Sequence, residues 1–269
     1  MAHDSTGRVE INLDHYNVGF VQIKDEPASL LGSGTFVQFG SVFGILTADH
    51  VLNCLLRYEH VGLFYFPVRS EQSQKLPMST SEIDYVRLGA KPWDINGPDL
   101  AFIRLPIDLT NTLRALVSFV NGEKQSEDFH SGLRPSEERW DLVIGAIDEW
   151  TGIPTQEDGK VITPFKMLVN SGQITESKDV NGLDVMRFEP ILAPGFTPPE
   201  SYEGTSGGGL WALFIKREND TYPRVIQRRL VGVAYWQDRV GDSMHIICHG
   251  PRSIYGRLHE MILAKWSQS

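Results

Sequence analysis

Short apolar runs separated by turns make up most of the chain. In residues 18–120 these runs are rich in β-branched and aromatic side chains and are bounded by glycine, proline or polar residues. Such runs predict strands of an all-β barrel or sandwich, since βαβ units would need longer amphipathic segments between them. The predicted strands are 18–23, 34–39, 42–47, 61–66, 85–88 and 100–105.

A second series of strand-like runs follows a polar stretch. Residues 121–139 are polar and poorly periodic, which predicts a linker between two β-rich halves. Residues 110–120 fit a short helix or a strand equally well, and residues 148–163 predict an exposed loop. The strands predicted for the second half are 141–146, 165–169, 172–176, 183–188, 209–215, 230–235 and 244–248.

The last part of the chain has helical rather than strand periodicity. From residue 253 to residue 266, apolar side chains recur at helical spacing and form one face, and Pro251 stands just before the start, where proline is tolerated. The apolar face consists of Ile254, Leu258, Met261, Ile262 and Leu263.

Charge and composition exclude several classes of protein. The formal net charge is −9 and no long basic run occurs, which disfavours a nucleic-acid partner. No segment approaches about 18 apolar residues, so we expect no membrane span. The first twenty residues lack the apolar stretch of a secretory signal, and there are only two cysteines, Cys54 and Cys248. These features favour a reducing, cytoplasmic location with both thiols buried, although a bridge between them stays open.

Three strings at predicted element boundaries carry candidate chemistry. Ser206 lies in the glycine-rich string 203–209, where a hydroxyl stands beside backbone N–H groups that no Cβ shields. A nucleophile with converging N–H donors is what acyl transfer requires. His50 ends an apolar run, and Asp99 opens another after Gly97 and Pro98. Histidine, aspartate and serine in this chain order can assemble a hydrolytic triad.

Together these strings resemble the chymotrypsin-like (trypsin-like) serine peptidases, and most of all the compact bacterial domains. The strings that match are Thr-Ala-Asp-His at 47–50, Asp-Leu-Ala at 99–101 and Gly-Thr-Ser-Gly-Gly at 204–208. Residues 32–36 are similar to the turn and strand before the histidine strand of that family. The resemblance extends from about residue 19 to the C-terminus.

The resemblance implies an all-β fold of two antiparallel six-stranded β-barrels, closed by a C-terminal helix, with the active site in the cleft between them. The domain boundaries then become an arm at 1–17, a first barrel at 18–120, a linker at 121–139, a second barrel at 140–250 and a helix at 251–269. His50 and Asp99 fall in the first barrel and Ser206 in the second.

The resemblance also implies a role for each residue. Ser206 would attack a peptide carbonyl, His50 would move the proton, Asp99 would orient the imidazole, and the N–H groups of Gly204 and Ser206 would form the oxyanion hole. The substrate would be a protein or peptide, and the reaction would need neither a cofactor nor a metal ion. Thr205 departs from the aspartate of many secreted relatives, which disfavours activation by an inserted N-terminus. Gating of the loop by substrate or by an activating protein partner is a further hypothesis.

Specificity is the least determined property. Counting back from Ser206 places Glu200 near the floor of the primary pocket, where an acid would favour Lys or Arg, although an exposed loop is the preferred interpretation of residues 198–201. The strand 231–236 with Gln237 after it is predicted to line the pocket and pair with the substrate backbone, although Tyr235 and Trp236 fit ordinary core or rim aromatics equally well. His245 and His249 share a strand face, and one could point into the pocket.

Two other classes of function compete with a peptidase. One is a binding module on the same fold that has lost catalysis, since Thr205 leaves room for a distorted oxyanion loop. The other is an esterase on an α/β-hydrolase fold, which the chain order and the missing strand–helix alternation oppose.

Overall fold

A computed structural model gives the fold of most of the chain. It describes residues 11–23, 28–70, 72–89, 91–130, 138–157, 160–192, 195, 197–216, 223–241 and 243–266. Most of the predicted N-terminal arm, residues 1–10, lies outside the described residues. In the part of the chain that the structure describes, no helix is both long and apolar enough to cross a lipid bilayer.

The first module is an eight-stranded sheet. Along the sheet the order is β5-β4-β1-β2-β3-β7-β6, and β8 pairs in parallel with β2. Its strands are β1 (Asn17–Gln22), β2 (Leu30–Phe39), β3 (Val42–Thr47), β4 (His60–Tyr65), β5 (Gln74–Ser79), β6 (Asp84–Arg87), β7 (Ala101–Arg104) and β8 (Val120–Asn121).

This module has two strands more than the six that the sequence pattern predicted. Strand β5 lies at one end of the sheet and is mostly exposed, with Lys75 and Pro77 in it. Lysine and proline are typical of edge strands, because they discourage pairing with another chain. Since β5 is polar and β8 is only two residues long, neither forms the apolar run that identified the other strands.

The second module is a closed barrel of six strands, in the order β12-β13-β16-β15-β14-β9, as predicted. The predicted runs 165–169 and 172–176 form one strand, β12. Inside the predicted loop 148–163 lies the small hairpin β10–β11. The strands after β8 are β9 (Glu138–Ala146), β10 (Thr155–Glu157), β11 (Lys160–Ile162), β12 (Met167–Val180), β13 (Leu183–Pro190), β14 (Gly209–Lys216), β15 (Arg224–Val240) and β16 (Ser243–His249).

The helices of the described residues lie at the edges of the two modules. Helix α2 shows that 110–120 is a helix followed by the short strand β8. Helix α3 falls within the segment predicted as a linker, and the Asn121 side chain accepts a hydrogen bond from the Lys124 N–H at its start, as a helix N-cap does. The α-helices are α1 (Asp49–Leu55), α2 (Ile107–Arg114), α3 (Gly122–His130) and α4 (His259–Trp266).

The C-terminal helix packs on both modules. It begins with a π-helical segment, Ser253–Leu258, and continues as α4, close to the prediction. Its side chains Ile254 and Leu258 are fully buried in a core cluster that joins Phe102 of the first module to Trp211 of the second. The two modules therefore share apolar core, and this shared core fixes the relative position of the residues at their boundary. The all-β architecture with a closing helix is confirmed.

Candidate active site

His50 lies in the first turn of α1, directly after strand β3. Ala48, the residue before the helix, has an extended backbone, so the chain turns sharply from strand to helix at this point. Asp49 faces inward and is fully buried, while the His50 side chain stays 31% exposed. The turn therefore presents the imidazole to solvent at the edge of the first module.

Asp99 is joined to His50 by two hydrogen bonds. The His50 Nδ1 lies 2.6 Å from the Asp99 Oδ2, and the His50 backbone N–H donates to Oδ1 at 2.8 Å. Strand pairing makes this contact, because Thr47 at the end of β3 pairs with Ala101 at the start of β7. Asp99 is fully buried, so the carboxylate keeps the proton of the ring on Nδ1 and leaves Nε2 free to accept one.

The glycine-rich loop around Ser206 has a backbone that only glycine adopts easily. Gly204 and Gly207 both have φ near +91°. A Cβ on Gly207 would lie 1.9 Å from the Ser33 carbonyl oxygen, and one on Gly204 would lie 2.3 Å from the Leu30 side chain. Gly204 and Gly207 are therefore required by their backbone conformation and by close packing against the first module.

Some backbone N–H groups of this loop donate hydrogen bonds, and others have no acceptor among the described residues. Thr205 donates to the Tyr202 carbonyl at 3.1 Å, and Gly207 donates to the Ala234 carbonyl at 2.7 Å. Among the described residues, neither the Gly204 N–H nor the Ser206 N–H has an acceptor. These are the two donors that the sequence predicted for an oxyanion hole, and both are available to a ligand.

Ser33 of the first module holds this loop in place, a role that sequence reasoning missed. Its hydroxyl donates to the Gly204 carbonyl and accepts from the Ala146 N–H, both at 2.7 Å. Its backbone N–H donates to the Ser206 carbonyl, also at 2.7 Å. Ser33 is fully buried, so these bonds are shielded from water. The resemblance identified residues 32–36 only as a turn and strand. No local sequence pattern predicts a contact with residues so distant in the chain.

The Ser206 hydroxyl lines the same cavity as His50 but is bonded to another residue. It donates to the Tyr235 carbonyl at 3.4 Å, which is a long hydrogen bond. Within the described part of the chain, no hydrogen bond joins Ser206 to His50. Both residues line one cavity of about 840 Å³ at the boundary of the modules. Catalytic hydrogen bonds are often long or misaligned before substrate binds, so this geometry is compatible with a nucleophile at rest.

The cavity is apolar where it is deep and charged where it is open. Its buried lining residues include Tyr202, Ala234 and Ile246. The charged lining residues Asp148 and Glu203 are exposed. An apolar group would be buried inside, whereas charged groups would stay at the rim in water.

The predicted pocket residues Tyr235, Trp236 and Gln237 all line this cavity. The Tyr235 side chain is buried and turned away toward His249, whereas Trp236 is 40% exposed and forms an open wall. The Gln237 Oε1 accepts from the Tyr202 N–H at 2.7 Å, and its Nε2 donates to the Ser201 hydroxyl at 3.0 Å. Gln237 therefore ties one wall of the cavity to the other.

The prediction that Glu200 lies at the pocket floor is wrong. Glu200 is exposed and lines a separate groove with Pro198, Pro199 and Arg239. Counting back from Ser206 failed because residues 198–200 line this other groove and not the cavity that Ser206 lines. The suggestion that His245 or His249 points into the pocket is also wrong, since neither lines the cavity.

A partly buried ion pair between Asp49 and Arg87 lies next to His50 in the chain. The Asp49 Oδ1 lies 2.6 Å from the Arg87 Nε, and the Trp93 indole N–H donates to the Asp49 Oδ2 at 2.8 Å. The Trp93 ring lies edge-on to the His50 ring, with centroids 6.2 Å apart, and also lines the cavity. Asp49 thus places an aromatic wall beside the imidazole.

The two cysteines are free. Cys248 is buried, and this burial raises the pKa of its thiol, as expected for a small apolar side chain. Cys54 is partly exposed and lines the cavity, so the prediction that it is buried is wrong. In the described residues there is no group of three or more histidine, cysteine or acidic side chains arranged to hold a metal ion.

Comparison with known proteins adds three distant structural likenesses. No protein-family model and no curated protein matches the chain. The structure of Rv3671c from M. tuberculosis H37Rv, a serine-to-alanine mutant in an inactive form, is 13% identical with a TM-score of 0.44, covering 92% of this chain and 87% of that one.

The other two likenesses are structures of the HtrA-type protease AlgW with a decapeptide. The serine-to-alanine variant of AlgW is 14% identical with a TM-score of 0.47, and AlgW itself is 14% identical with a TM-score of 0.45. They cover 93% of this chain but only 64% and 65% of the AlgW chains, so this chain spans less than two thirds of AlgW. At this level of likeness the comparisons assign no role to any residue.

Proposed function

We propose that this protein is a serine endopeptidase that hydrolyses peptide bonds through His50, Asp99 and Ser206. One observation carries the proposal: an imidazole, hydrogen-bonded at 2.6 Å to a buried carboxylate behind it, lines the same cleft as a serine in a glycine-rich loop with two N–H donors that have no acceptor among the described residues. This is the set of parts that acyl transfer needs, namely a nucleophile, a base, a group that orients the base, and an oxyanion site.

The reaction follows from this geometry. The Ser206 hydroxyl gives its proton to the His50 Nε2 as it attacks the substrate carbonyl, and the Asp99 carboxylate stabilises the imidazolium that forms. The developing oxyanion accepts hydrogen bonds from the Gly204 and Ser206 N–H groups. His50 then protonates the leaving amine, which departs and leaves an acyl group on Ser206. Water hydrolyses this ester by the same proton transfers in reverse.

Substrate binding allows the hydrogen bond between the Ser206 hydroxyl and His50, which is absent at rest, to form. The Tyr235 carbonyl, which accepts from the Ser206 hydroxyl at rest, would accept from a peptide N–H instead once a substrate strand lies along β15. Competition for this acceptor releases the hydroxyl toward His50. In this mechanism the Ser206 hydroxyl aligns with His50 only as the peptide binds.

The apolar interior of the cavity favours an apolar residue before the cut. Tyr202, Ala234 and Ile246 are each at most 5% exposed, and no buried acid stands among them to neutralise Lys or Arg. A buried ammonium or guanidinium without a partner is costly, so substrates with a basic residue there should be cut slowly.

Activation without N-terminal insertion fits the contacts of Thr205. This residue is buried and carries no charge, and its hydroxyl donates weakly to the Ala146 carbonyl at 3.4 Å. The loop is held by Ser33 and Ala146, so a new N-terminus is not required to order it. The absence of a disulfide between Cys54 and Cys248 fits a reducing, cytoplasmic setting.

A second candidate is a binding module of the same fold without catalysis. The observation in its favour is the Ser206 hydroxyl, which bonds the Tyr235 carbonyl and not His50. If that arrangement persists with a peptide in the cleft, the chain would hold peptides without cutting them.

Peptide-library cleavage separates the two candidates. The wild-type protein should cut the library with an apolar residue preferred before the cut, and Ser206→Ala should bind the same peptides without cutting them. Equal cleavage by both proteins would rule out Ser206 as the nucleophile. Binding without cleavage by both would support the binding module.

A further inference from the structure

A buried histidine of the second module contacts the aspartate of the first. His249 ends strand β16 and is fully buried. Its Nε2 accepts a hydrogen bond from the Asp99 backbone N–H at 3.0 Å. Because an acceptor nitrogen must carry a lone pair, this bond requires the neutral ring with its proton on Nδ1.

The His249 ring belongs to a clamp on the segment that leads into Asp99. It stacks on the Tyr235 ring, with centroids 4.2 Å apart and an angle of 14° between the planes. The Tyr235 hydroxyl donates to the Ile95 carbonyl at 2.7 Å. A Cβ on Gly97 would lie 2.7 Å from the His249 Cε1. The second module therefore grips residues 95–99 of the first module at two points.

The carboxylate of Asp99 has no comparable anchor of its own. Both hydrogen bonds that reach it in the described part of the chain come from His50, the residue that it orients. Its position is therefore set by the backbone that carries it. The contact that holds this backbone against the second module is the bond to His249.

We propose that His249 is a positioning residue, which fixes Asp99 through its backbone N–H and thereby sets the orientation of His50 relative to Ser206. The inference rests on the proposed peptidase function for its effect on rate, but the bond itself can be tested without it. Because His249 and Ser206 belong to the same module, this bond aligns the acid–base pair with the part of the molecule that carries the nucleophile.

Protonation of His249 would remove the acceptor and set two N–H groups against each other. The groups that face its ring are the Asp99 and Asp184 carboxylates and the Tyr235 phenol, with the Cys248 thiol next to it in the strand. Burial lowers the pKa of His249 from its ordinary value of 6.5 to about 4, although both aspartates raise it. The neutral ring thus persists at any pH well above 4.

Two substitutions separate the hydrogen bond from the packing. His249→Phe keeps a ring against Tyr235 but removes the acceptor, whereas His249→Gln offers an amide oxygen near the place of Nε2. We expect kcat of His249→Phe to fall by about 10- to 100-fold with KM little changed, since small errors in catalytic geometry cost rates of that order. His249→Gln should recover a large part of the loss. His245→Phe, on the same strand four residues earlier and without contact to Asp99, is the matched control and should keep the wild-type rate.

An activity-independent readout keeps the inference distinct from the proposed function. Amide hydrogen exchange at Asp99 should be slow in wild type and His249→Gln, and faster in His249→Phe. If no variant shows peptidase activity but this exchange pattern holds, the peptidase proposal fails and the positioning contact stands. If His249→Phe is folded, with wild-type kcat and wild-type protection at Asp99, the inference is overturned. It is also overturned if folded His249→Gln shows no recovery in either measurement.

Discussion

The first module holds its two site residues in direct contact, whereas the second module holds its nucleophile apart from them. His50 and Asp99 are joined by two hydrogen bonds, at 2.6 and 2.8 Å. The Ser206 hydroxyl instead forms a 3.4 Å bond to Tyr235, within its own module. The candidate acid–base pair is thus already assembled in this structure, whereas the candidate nucleophile is not bonded to it.

The cause of the difference is the distance over which each contact must be built. Pairing of β3 with β7 fixes His50 beside Asp99 within one sheet, because strand register sets which residues meet. Contact between His50 and Ser206 depends on how two modules pack. Besides the shared apolar core, two buried polar side chains, Ser33 and His249, form hydrogen bonds across this boundary. Contacts across the boundary therefore help to hold both parts of the candidate site in place.

Breaking the preassembled pair should give the largest effect. His50→Ala removes the general base and should lower kcat on the order of 10⁶-fold, as loss of a triad histidine does elsewhere. Asp99→Asn keeps the shape but favours the wrong tautomer, and should cost about 10⁴-fold. Steady-state peptide cleavage checks both, with circular dichroism to show that the fold survives. Near wild-type rates in either folded variant would contradict the role of the pair.

Breaking the glycine loop should cost less. A Cβ on Gly207 collides with the Ser33 carbonyl, and φ near +91° is strained for alanine. Gly207→Ala should displace the Ser206 N–H and lower kcat by about 10²–10³-fold, the usual cost of a lost oxyanion donor. The matched control is Gly241→Ala, at positive φ but with open space around it. An equal loss in both variants would point to general strain rather than to the loop.

Removing the Ser33 hydroxyl tests the boundary contact with less disturbance. Ser33→Ala leaves the buried Ala146 N–H and Gly204 carbonyl without a partner, which should lower the free energy of unfolding by about 1–3 kcal/mol. We also expect kcat to fall by about tenfold as the loop loosens. Chemical denaturation and peptide cleavage measure the two effects. Ser29→Ala, at an exposed serine whose hydroxyl donates to the Gln22 side chain, is the control and should change neither.

Stability should depend on pH through His249. Because its pKa is lowered from 6.5 to about 4 in the folded protein, the unfolded chain binds more protons between these values. The free energy of unfolding should therefore fall as pH drops from about 6.5 to about 4, and this contribution should level off below that range. Denaturation of wild type and His249→Gln at a series of pH values isolates the effect. If the free energy of unfolding of wild type falls no more steeply with decreasing pH than that of the variant, His249 does not cause the pH dependence.

The smallest effect should follow from changing Glu200. Since this side chain lies in a separate exposed groove, Glu200→Gln should leave the preference before the cut unchanged. Cleavage profiles of a peptide library for wild type and variant should overlap. A variant that loses a preference for Lys or Arg would restore Glu200 to the pocket.

The parts of the site that the sequence predicted are those with a local pattern. The Gly-Thr-Ser-Gly-Gly string can be recognised from a few adjacent residues, and so can each of the strand ends at His50 and Asp99. Ser33 and His249 could not be recognised this way, because their partners lie 171 and 150 positions away. Nothing in a neighbouring residue type signals such a bond, and only the packing of the modules creates it.

The fold shows the same division. Strands with apolar faces were predicted, because a buried face requires apolar residues at regular positions in the sequence. The polar edge strand β5, the short strand β8 and helix α3 were not, because solvent exposure or short length leaves little pattern. Glu200 was misplaced because a count along the chain ignores the path of the loop.

The most direct test of the central claim is covalent labelling of the purified protein with a fluorophosphonate, read by intact mass and peptide mapping. We expect one adduct per chain, on Ser206, formed rapidly in wild type and far more slowly in His50→Ala. Folded wild-type protein without an adduct, or labelling of Ser206 at the same rate when His50 is absent, would contradict a nucleophile activated across the module boundary.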